Sequence, residues 1–124
     1  MVMGIGIMPN LEPRRKDAPK KSDTGKLEWH LLNYRAMECL VRVMMGGKIK
    51  YGEENWKGFE SDPTRVKDAI QRHLAAIMEG EMIDDESGEP HAAHIMAGGM
   101  FLTYFELCKK STHEYINKKG VDIA

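Results

Sequence analysis

The clearest pattern in the chain is SDPTRVKDAIQRHLAAIMEGEMIDDESGEPHAAHIMAGGMFLTYF, residues 61–105, in which two helical repeats of apolar residues flank a short acidic connection. The first repeat opens with the capping sequence Ser61-Asp62-Pro63 and predicts a helix to about Glu79. The second opens at Pro90 and predicts a helix to about Lys109. The apolar positions are Val66, Ala69, Ile70, Leu74 and Ile77 in the first repeat, and Ile95, Met96, Phe101, Leu102, Phe105 and Cys108 in the second.

A third helical repeat lies upstream, from about Leu27 to Met45, with Gly46-Gly47 as a natural stop. No segment alternates with a period of two for long enough to form a sheet. The sequence therefore predicts an all-α fold, a small bundle of three main helices with short helical turns in its loops. Because the apolar stripes exceed what three helices bury within one chain, we also expect a homo-oligomer.

The length of 124 residues fits one domain with tails. We assign residues 1–26 to a flexible N-terminal arm rich in proline and charge, residues 27–110 to the all-α domain, and residues 111–124 to a C-terminal tail.

The balance of 18 basic and 19 acidic residues gives a net charge of −1, which removes any global electrostatic case for binding a nucleic-acid polymer or an acidic membrane. No signal peptide or membrane span is visible in the sequence. Cys39 and Cys108 lie in apolar segments without metal-binding spacing, so we expect buried free thiols in a cytoplasmic protein.

The acidic connection EGEMIDDESGEPHAAH, residues 79–94, packs six carboxylates and two histidines beside an apolar helix. His91 and His94 share one helical face, so carboxylates from the connection can converge on their imidazoles. Oxygen ligands suit Mg²⁺ or Mn²⁺, and imidazole shifts the preference towards Mn²⁺ or Zn²⁺. A solvated loop beside the helix dipole is the plainer interpretation for any single carboxylate. For the whole set we favour function, since crowded like charges are unfavourable unless a cation or substrate relieves them.

Two other segments invite a choice between function and packing. His73 lies in an apolar stripe, where a lone histidine typically bonds a backbone carbonyl, but His91 and His94 strengthen the case for a site. The loop KIKYGEENW, residues 48–56, offers Lys50 to a phosphate, Tyr51 or Trp56 to a base, and Glu53, Glu54 and Asn55 to a metal or a base edge. A loop that merely docks on the core explains it equally well. Gly98-Gly99 indicates either close helix packing or room for a ligand.

Together, KLEWHLL, GGKIKYGEENW and RHLAAIMEGEMIDDESGEPHAAH, with the apolar helix that follows, resemble the phage and bacterial dATP/dGTP diphosphohydrolase N-terminal domain family over roughly Lys26 to Glu106. The most specific element is the string G-E-x-x-D-x-E-S-G-x-x-H-x-x-H, which runs here from Gly80 to His94. The chain departs from the family pattern at Gly98, where members often carry Asn.

The resemblance implies an all-α pyrophosphohydrolase of MazG-like logic that cleaves a purine deoxynucleoside triphosphate to the monophosphate and pyrophosphate with Mg²⁺ or Mn²⁺. The implied catalytic residues are Glu86, Asp84 and His91, and the implied metal ligands are Glu79, Asp84, Glu86, His91 and His94. The implied substrate-binding residues are Lys50, Tyr51, Asn55, Trp56, Arg72 and His73. Two alternatives stay open, a phage protein that sequesters nucleotides without turnover and a closed structural Zn²⁺ site of His73, His91, His94 and one carboxylate.

Overall fold

The computed structural model describes residues 19–109, which form three main helices. Helix α1 spans Tyr34–Tyr51, α2 spans Thr64–Met78 and α3 spans His91–Leu107. Short 3₁₀ segments at Trp29–Leu31 and Asn55–Glu60 precede α1 and α2. Within residues 19–109 the only β-type pairing is an isolated bridge between Ile83 and Pro90, which confirms the predicted all-α class. Most of the predicted N-terminal arm and the whole predicted C-terminal tail lie outside the described residues.

Helix α1 differs from its prediction at both ends. It begins at Tyr34 rather than near Leu27, because the Asn33 side chain caps it by accepting a 2.9 Å hydrogen bond from the Ala36 N–H. It also continues through Gly46-Gly47, so the predicted stop was wrong. A glycine inside a helix costs only about 1 kcal/mol. The helix ends where Gly52 adopts a φ of +101° and its N–H donates to the Lys48 carbonyl at 2.9 Å.

Helices α2 and α3 lie close to their predicted bounds. Pro63 is the N-cap of α2 and makes no side-chain capping bond, so the predicted capping by this segment was wrong. Asp62, one residue before the cap, accepts a 3.2 Å hydrogen bond from the Thr64 N–H and so forms a turn ahead of the helix. The two glycines of the acidic connection, Gly80 and Gly88, have φ values of +94° and +74°. Both therefore form the turns that the sequence indicated.

Helix α3 is the centre of the bundle, because α1 and α2 both pack against it and hardly touch each other. The buried apolar side chains are Leu40, Val66, Ala93, Ala97 and Phe105. Gly98 of α3 faces Ile70 of α2 so closely that a Cβ atom at position 98 would meet Ile70 Cγ1 at 2.5 Å. Close helix packing therefore explains Gly98, while Gly99 faces open space.

The 3₁₀ segment Asn55–Glu60 is anchored on α3 by Trp56. The indole stacks on Phe101 with ring centroids 4.5 Å apart and an interplanar angle of 13°, and Tyr104 meets it edge-on at 5.2 Å. Lys57 Nζ lies 5.7 Å from the Trp56 ring centroid. The segment that follows α1 thus docks on the core.

The outer face of α1 carries large exposed apolar side chains, with Val41 52%, Met45 55% and Ile49 86% exposed. Self-association through such faces stays a prediction. Cys39 and Cys108 form no disulfide with each other, but Cys108 is exposed and Cys39 is only partly buried, so their expected burial was wrong. Cys108 is exposed because it caps the end of α3 instead of lying inside it. No helix among the described residues combines the length and apolarity needed to cross a bilayer.

Candidate active site

An open groove runs between α1 and α2, and α3 forms its floor. The groove gathers residues from every part of the chain that the sequence singled out. The predicted site residues that line it are Lys50, Tyr51, Asn55, Trp56, Arg72, His73, Asp84, Glu86 and His94. Glu79, an exposed residue at the end of α2, and His91, which is 5% exposed, do not line it.

The acidic connection folds into a small hairpin beside the groove. The Asp84 N–H donates to the Glu89 carbonyl at 2.9 Å, and the His91 N–H donates to the Met82 carbonyl at 2.9 Å. Arg42 of α1 ties this hairpin down, because its Nε donates to both carboxylate oxygens of Glu89 at 3.2 and 3.1 Å. The same hydrogen bond raises the pKa of Arg42. The hairpin is therefore fixed to α1 as well as to α3.

Ser87 organises the carboxylate and imidazole that face the groove. Its hydroxyl donates to Asp84 Oδ2 at 2.9 Å and lies 2.7 Å from His94 Nε2. The Ser87 N–H adds a 3.2 Å bond to the same oxygen, and His94 Nε2 lies 3.3 Å from it. Partial burial acts to raise the pKa of Asp84, but the Ser87 hydrogen bonds and the nearby His94 hold it below its ordinary value. Asp84 is therefore an anion held in a defined position.

Three imidazoles from two helices meet at the end of the groove. His73 Nδ1 of α2 lies 2.8 Å from His91 Nδ1 of α3. His73 also stacks on His94, with centroids 4.4 Å apart and an interplanar angle of 8°. Burial lowers the pKa values of His73 and His94, and mutual repulsion among the protonated rings lowers them further. Both rings therefore stay neutral down to a lower pH than an exposed histidine does.

The end of α1 brings a cationic and an aromatic side chain to the groove. Lys50 Nζ lies 3.2 Å from Glu86 Oε2. Hydrogen bonds to Tyr51 and to Glu86 raise the pKa of Lys50, so the side chain stays protonated and positively charged. Arg72 also lines the groove, and the Tyr51 ring is 62% exposed, whereas Trp56 is covered by Phe101. Tyr51 is therefore the aromatic surface that a planar ligand can reach.

The donor atoms are not gathered into a ready-made metal centre: residues 19–109 contain no group of three His, Cys, Asp or Glu side chains arranged around one point. The planes of the stacked His73 and His94 rings are nearly parallel, so one ion cannot lie in both planes where their nitrogen lone pairs point. This geometry argues against the closed zinc site. Asp84 and Glu86 fit a magnesium-type ion better, since both line the groove and Mg²⁺ is commonly held by one or two carboxylates together with substrate phosphates.

Sequence reasoning missed four residues that shape the site. Ser87 and Glu81 were read only as part of the acidic connection, although the three-residue spacing from Asp84 to Ser87 is typical of side-chain turns. Glu81 faces His91, with Oε1 3.6 Å from Nε2. The Arg42–Glu89 pair joins residues 47 positions apart, and no local pattern could have indicated it.

Comparisons with known proteins identify the family of this chain. The model of the family described as dATP/dGTP diphosphohydrolase, N-terminal, matches residues 16–115. A protein of Salmonella phage PMBT28 named dATP/dGTP diphosphohydrolase is 39% identical over 82 residues, which are 66% of this chain and 28% of the phage protein. The chain thus spans less than a third of that relative. No solved structure matches the chain. Since the family match covers most of the chain, this chain belongs to the dATP/dGTP diphosphohydrolase N-terminal domain family.

Proposed function

We propose that this protein binds a nucleoside triphosphate in the groove and hydrolyses it to the monophosphate and pyrophosphate, with purine deoxynucleotides as the preferred substrates and Mg²⁺ or Mn²⁺ as the cofactor. One observation carries the proposal: two cationic side chains, Lys50 and Arg72, and two carboxylates, Asp84 and Glu86, line the same groove. The phosphate oxygens of a triphosphate need positively charged partners, and its divalent cation needs carboxylate ligands. The name of the phage relative, dATP/dGTP diphosphohydrolase, supports the same activity.

In this proposal, Tyr51 and Asn55 bind the base, and Lys50 and Arg72 bind the phosphates. Tyr51 offers an exposed ring on which a purine can stack, and Asn55 beside it offers an amide to a base edge. Lys50 and Arg72 offer charge-assisted hydrogen bonds to phosphate oxygens. Trp56 holds the 3₁₀ segment in place, because Phe101 already covers one of its faces.

The Lys50–Glu86 pair suggests how substrate binding prepares the site. Both side chains are largely exposed, at 51% and 79%. Exposed ion pairs contribute little to stability, so a triphosphate can replace Glu86 as the partner of Lys50. Glu86 is then released towards the groove, next to Asp84, whose position is fixed by Ser87.

Asp84 and Glu86 would hold the divalent ion, which supplies charge neutralisation for the triphosphate when it is bound. The protein's own contribution is to place the phosphates and an attacking water in line and to exclude other orientations. Most of the expected acceleration comes from this positioning and from the fixed charges of the groove.

A pyrophosphate-release assay tests the proposal. The chain is incubated with each ribo- and deoxynucleoside triphosphate and with Mg²⁺ or Mn²⁺, and the Glu86→Gln variant is compared with Glu60→Gln, an exposed glutamate outside the groove. We expect the purine deoxynucleotides to be turned over fastest, and Glu86→Gln to lower kcat by about 100-fold or more. Turnover that Glu86→Gln leaves unchanged would contradict the site. Nucleotide binding without product from any substrate would support the sequestering alternative instead.

A further inference from the structure

The contact between His73 and His91 requires one ring to be protonated on Nδ1 and the other to be unprotonated there. Their Nδ1 atoms are 2.8 Å apart, which is hydrogen-bonding distance. In a neutral imidazole one nitrogen carries a proton and the other a lone pair. Two lone pairs or two protons at this distance would repel, so one Nδ1 donates and the other accepts.

Glu81 decides which ring donates. His91 Nε2 is buried and has no hydrogen-bond partner among the described residues, and the carboxylate oxygen Glu81 Oε1 lies 3.6 Å from it. A proton on His91 Nε2 is attracted by this negative charge, whereas a lone pair there is repelled. His91 therefore carries its proton on Nε2 and accepts at Nδ1. It follows that His73 donates from Nδ1 and bears its lone pair on Nε2.

We propose that Glu81 and His91 are positioning residues that hold His73 in the tautomer whose Nε2 lone pair is available to the groove, and that His73 accepts the proton of the attacking water there. The second half of this inference rests on the proposed hydrolysis. In that step the water oxygen forms a bond to phosphorus, the bond from phosphorus to the leaving pyrophosphate oxygen breaks, and the water proton moves to His73 Nε2.

The surroundings of His73 support a fixed ring. His73 lines the groove together with Asp84 and Glu86. The stacked His94 ring covers one face of His73, and Ser87 holds His94 in turn through a 2.7 Å contact to Nε2. The ring is thus held on one edge by His91 and on one face by His94, which leaves Nε2 as the nitrogen without a hydrogen bond in the described structure.

Nitrogen-15 NMR of the imidazole groups in the full chain tests the tautomers without reference to activity. We expect His73 to be protonated on Nδ1 and His91 on Nε2. Glu81→Leu and His91→Leu should convert His73 to a mixture of tautomers, while Glu60→Gln should leave its spectrum unchanged. His91→Asn should preserve the wild-type tautomer of His73, because an amide oxygen replaces Nδ1 as acceptor. A wild-type His73 protonated on Nε2 would overturn the inference.

Kinetics of pyrophosphate release then test the role of His73. His73→Asn keeps a donor nitrogen near the Nδ1 position for His91 but removes Nε2, so we expect kcat to fall by about 100- to 10,000-fold with KM changed less than about threefold. His91→Asn should retain more of kcat than His91→Leu. An unchanged kcat in His73→Asn would refute proton transfer to His73. Absence of turnover in the wild-type chain would refute the proposed hydrolysis and this role with it, while the NMR result would still decide the tautomer.

Discussion

Gly98 of α3 and Ile70 of α2 touch with no space for a side chain between them, since a Cβ atom at position 98 would lie 2.5 Å from Ile70 Cγ1 and 2.8 Å from its Cδ1. Gly98→Ala should therefore lower the free energy of unfolding by about 1–3 kcal/mol through overpacking. Gly99→Ala is the matched control, because nothing lies within 4 Å of its Cβ position, and it should stabilise the helix by about 0.5–1 kcal/mol. Urea denaturation measures both. Equal effects of the two substitutions would contradict this account of the α2–α3 contact.

Tyr51, the last residue of α1, and Trp56, in the 3₁₀ segment that follows, should behave differently when truncated. Tyr51→Ala should weaken nucleotide binding by about 5- to 100-fold, the range expected for loss of one base-stacking contact, and should leave stability almost unchanged. Trp56→Ala should destabilise the fold by about 3 kcal/mol, because the contacts with Phe101 and Tyr104 are lost. Isothermal titration calorimetry and thermal unfolding separate the two effects. Nucleotide affinity that survives Tyr51→Ala would show that the base binds elsewhere.

The Arg42–Glu89 contact should control the mobility of the acidic hairpin. Arg42→Gln removes the donor that holds both Glu89 oxygens, so amide hydrogen exchange in residues 82–91 should become faster. Arg35→Gln is the control, because within residues 19–109 Arg35 pairs with its own helix neighbour Glu38, at 3.3 Å, and not with the hairpin. Exchange in α2 should be unaffected by either change. A hairpin that exchanges at the same rate in Arg42→Gln would show that its backbone bonds alone fix it.

Stability should fall as the solution is acidified below about pH 6.5. Burial lowers the pKa values of His73 and His94 below their ordinary value of 6.5, although Asp84 partly opposes this effect. As the pH falls, these histidines therefore take up protons in the unfolded chain before they do so in the folded one. Their contribution to stability is fully present above the unfolded pKa and decreases as the pH falls towards the lower folded pKa. Thermal unfolding at about pH 7.5 and about pH 5.5 should show a lower Tm in acid. The decrease should be smaller in His73→Asn than in His30→Gln, an exposed histidine outside the groove.

Local sequence patterns were sufficient to predict α2, α3 and the turns at Gly80 and Gly88. They failed for α1, because the capping bond from Asn33 determines its start and the positive φ of Gly52 determines its end. The spacing of apolar residues indicates neither the capping bond nor the positive φ. The paired glycines that looked like a stop lie inside the helix, where packing against α3 compensates for their weak propensity.

Most of the predicted site residues lie in one groove, but the contacts among them were not predicted from the sequence. Nine of the predicted residues line one groove, although Lys50 and Tyr51 lie at the end of α1 and not in the predicted loop. The pairing of His73 with His91, 18 positions apart, depends on how α2 crosses α3, which no local pattern encodes. For a related reason the sequence left two interpretations of Trp56 open, because an aromatic residue between two helices has the same pattern whether it contacts a ligand or the core. The structure shows the contact with the core, through Phe101.

The near absence of contact between α1 and α2 has an evolutionary consequence, because the two walls of the groove are joined mainly through α3. A substitution on one wall does not force compensating changes on the other. Under the proposed function, selection could therefore alter preference for a base at the Tyr51 wall while preserving chemistry at the His73 wall, so substrate range could diverge among descendants that keep a common scaffold.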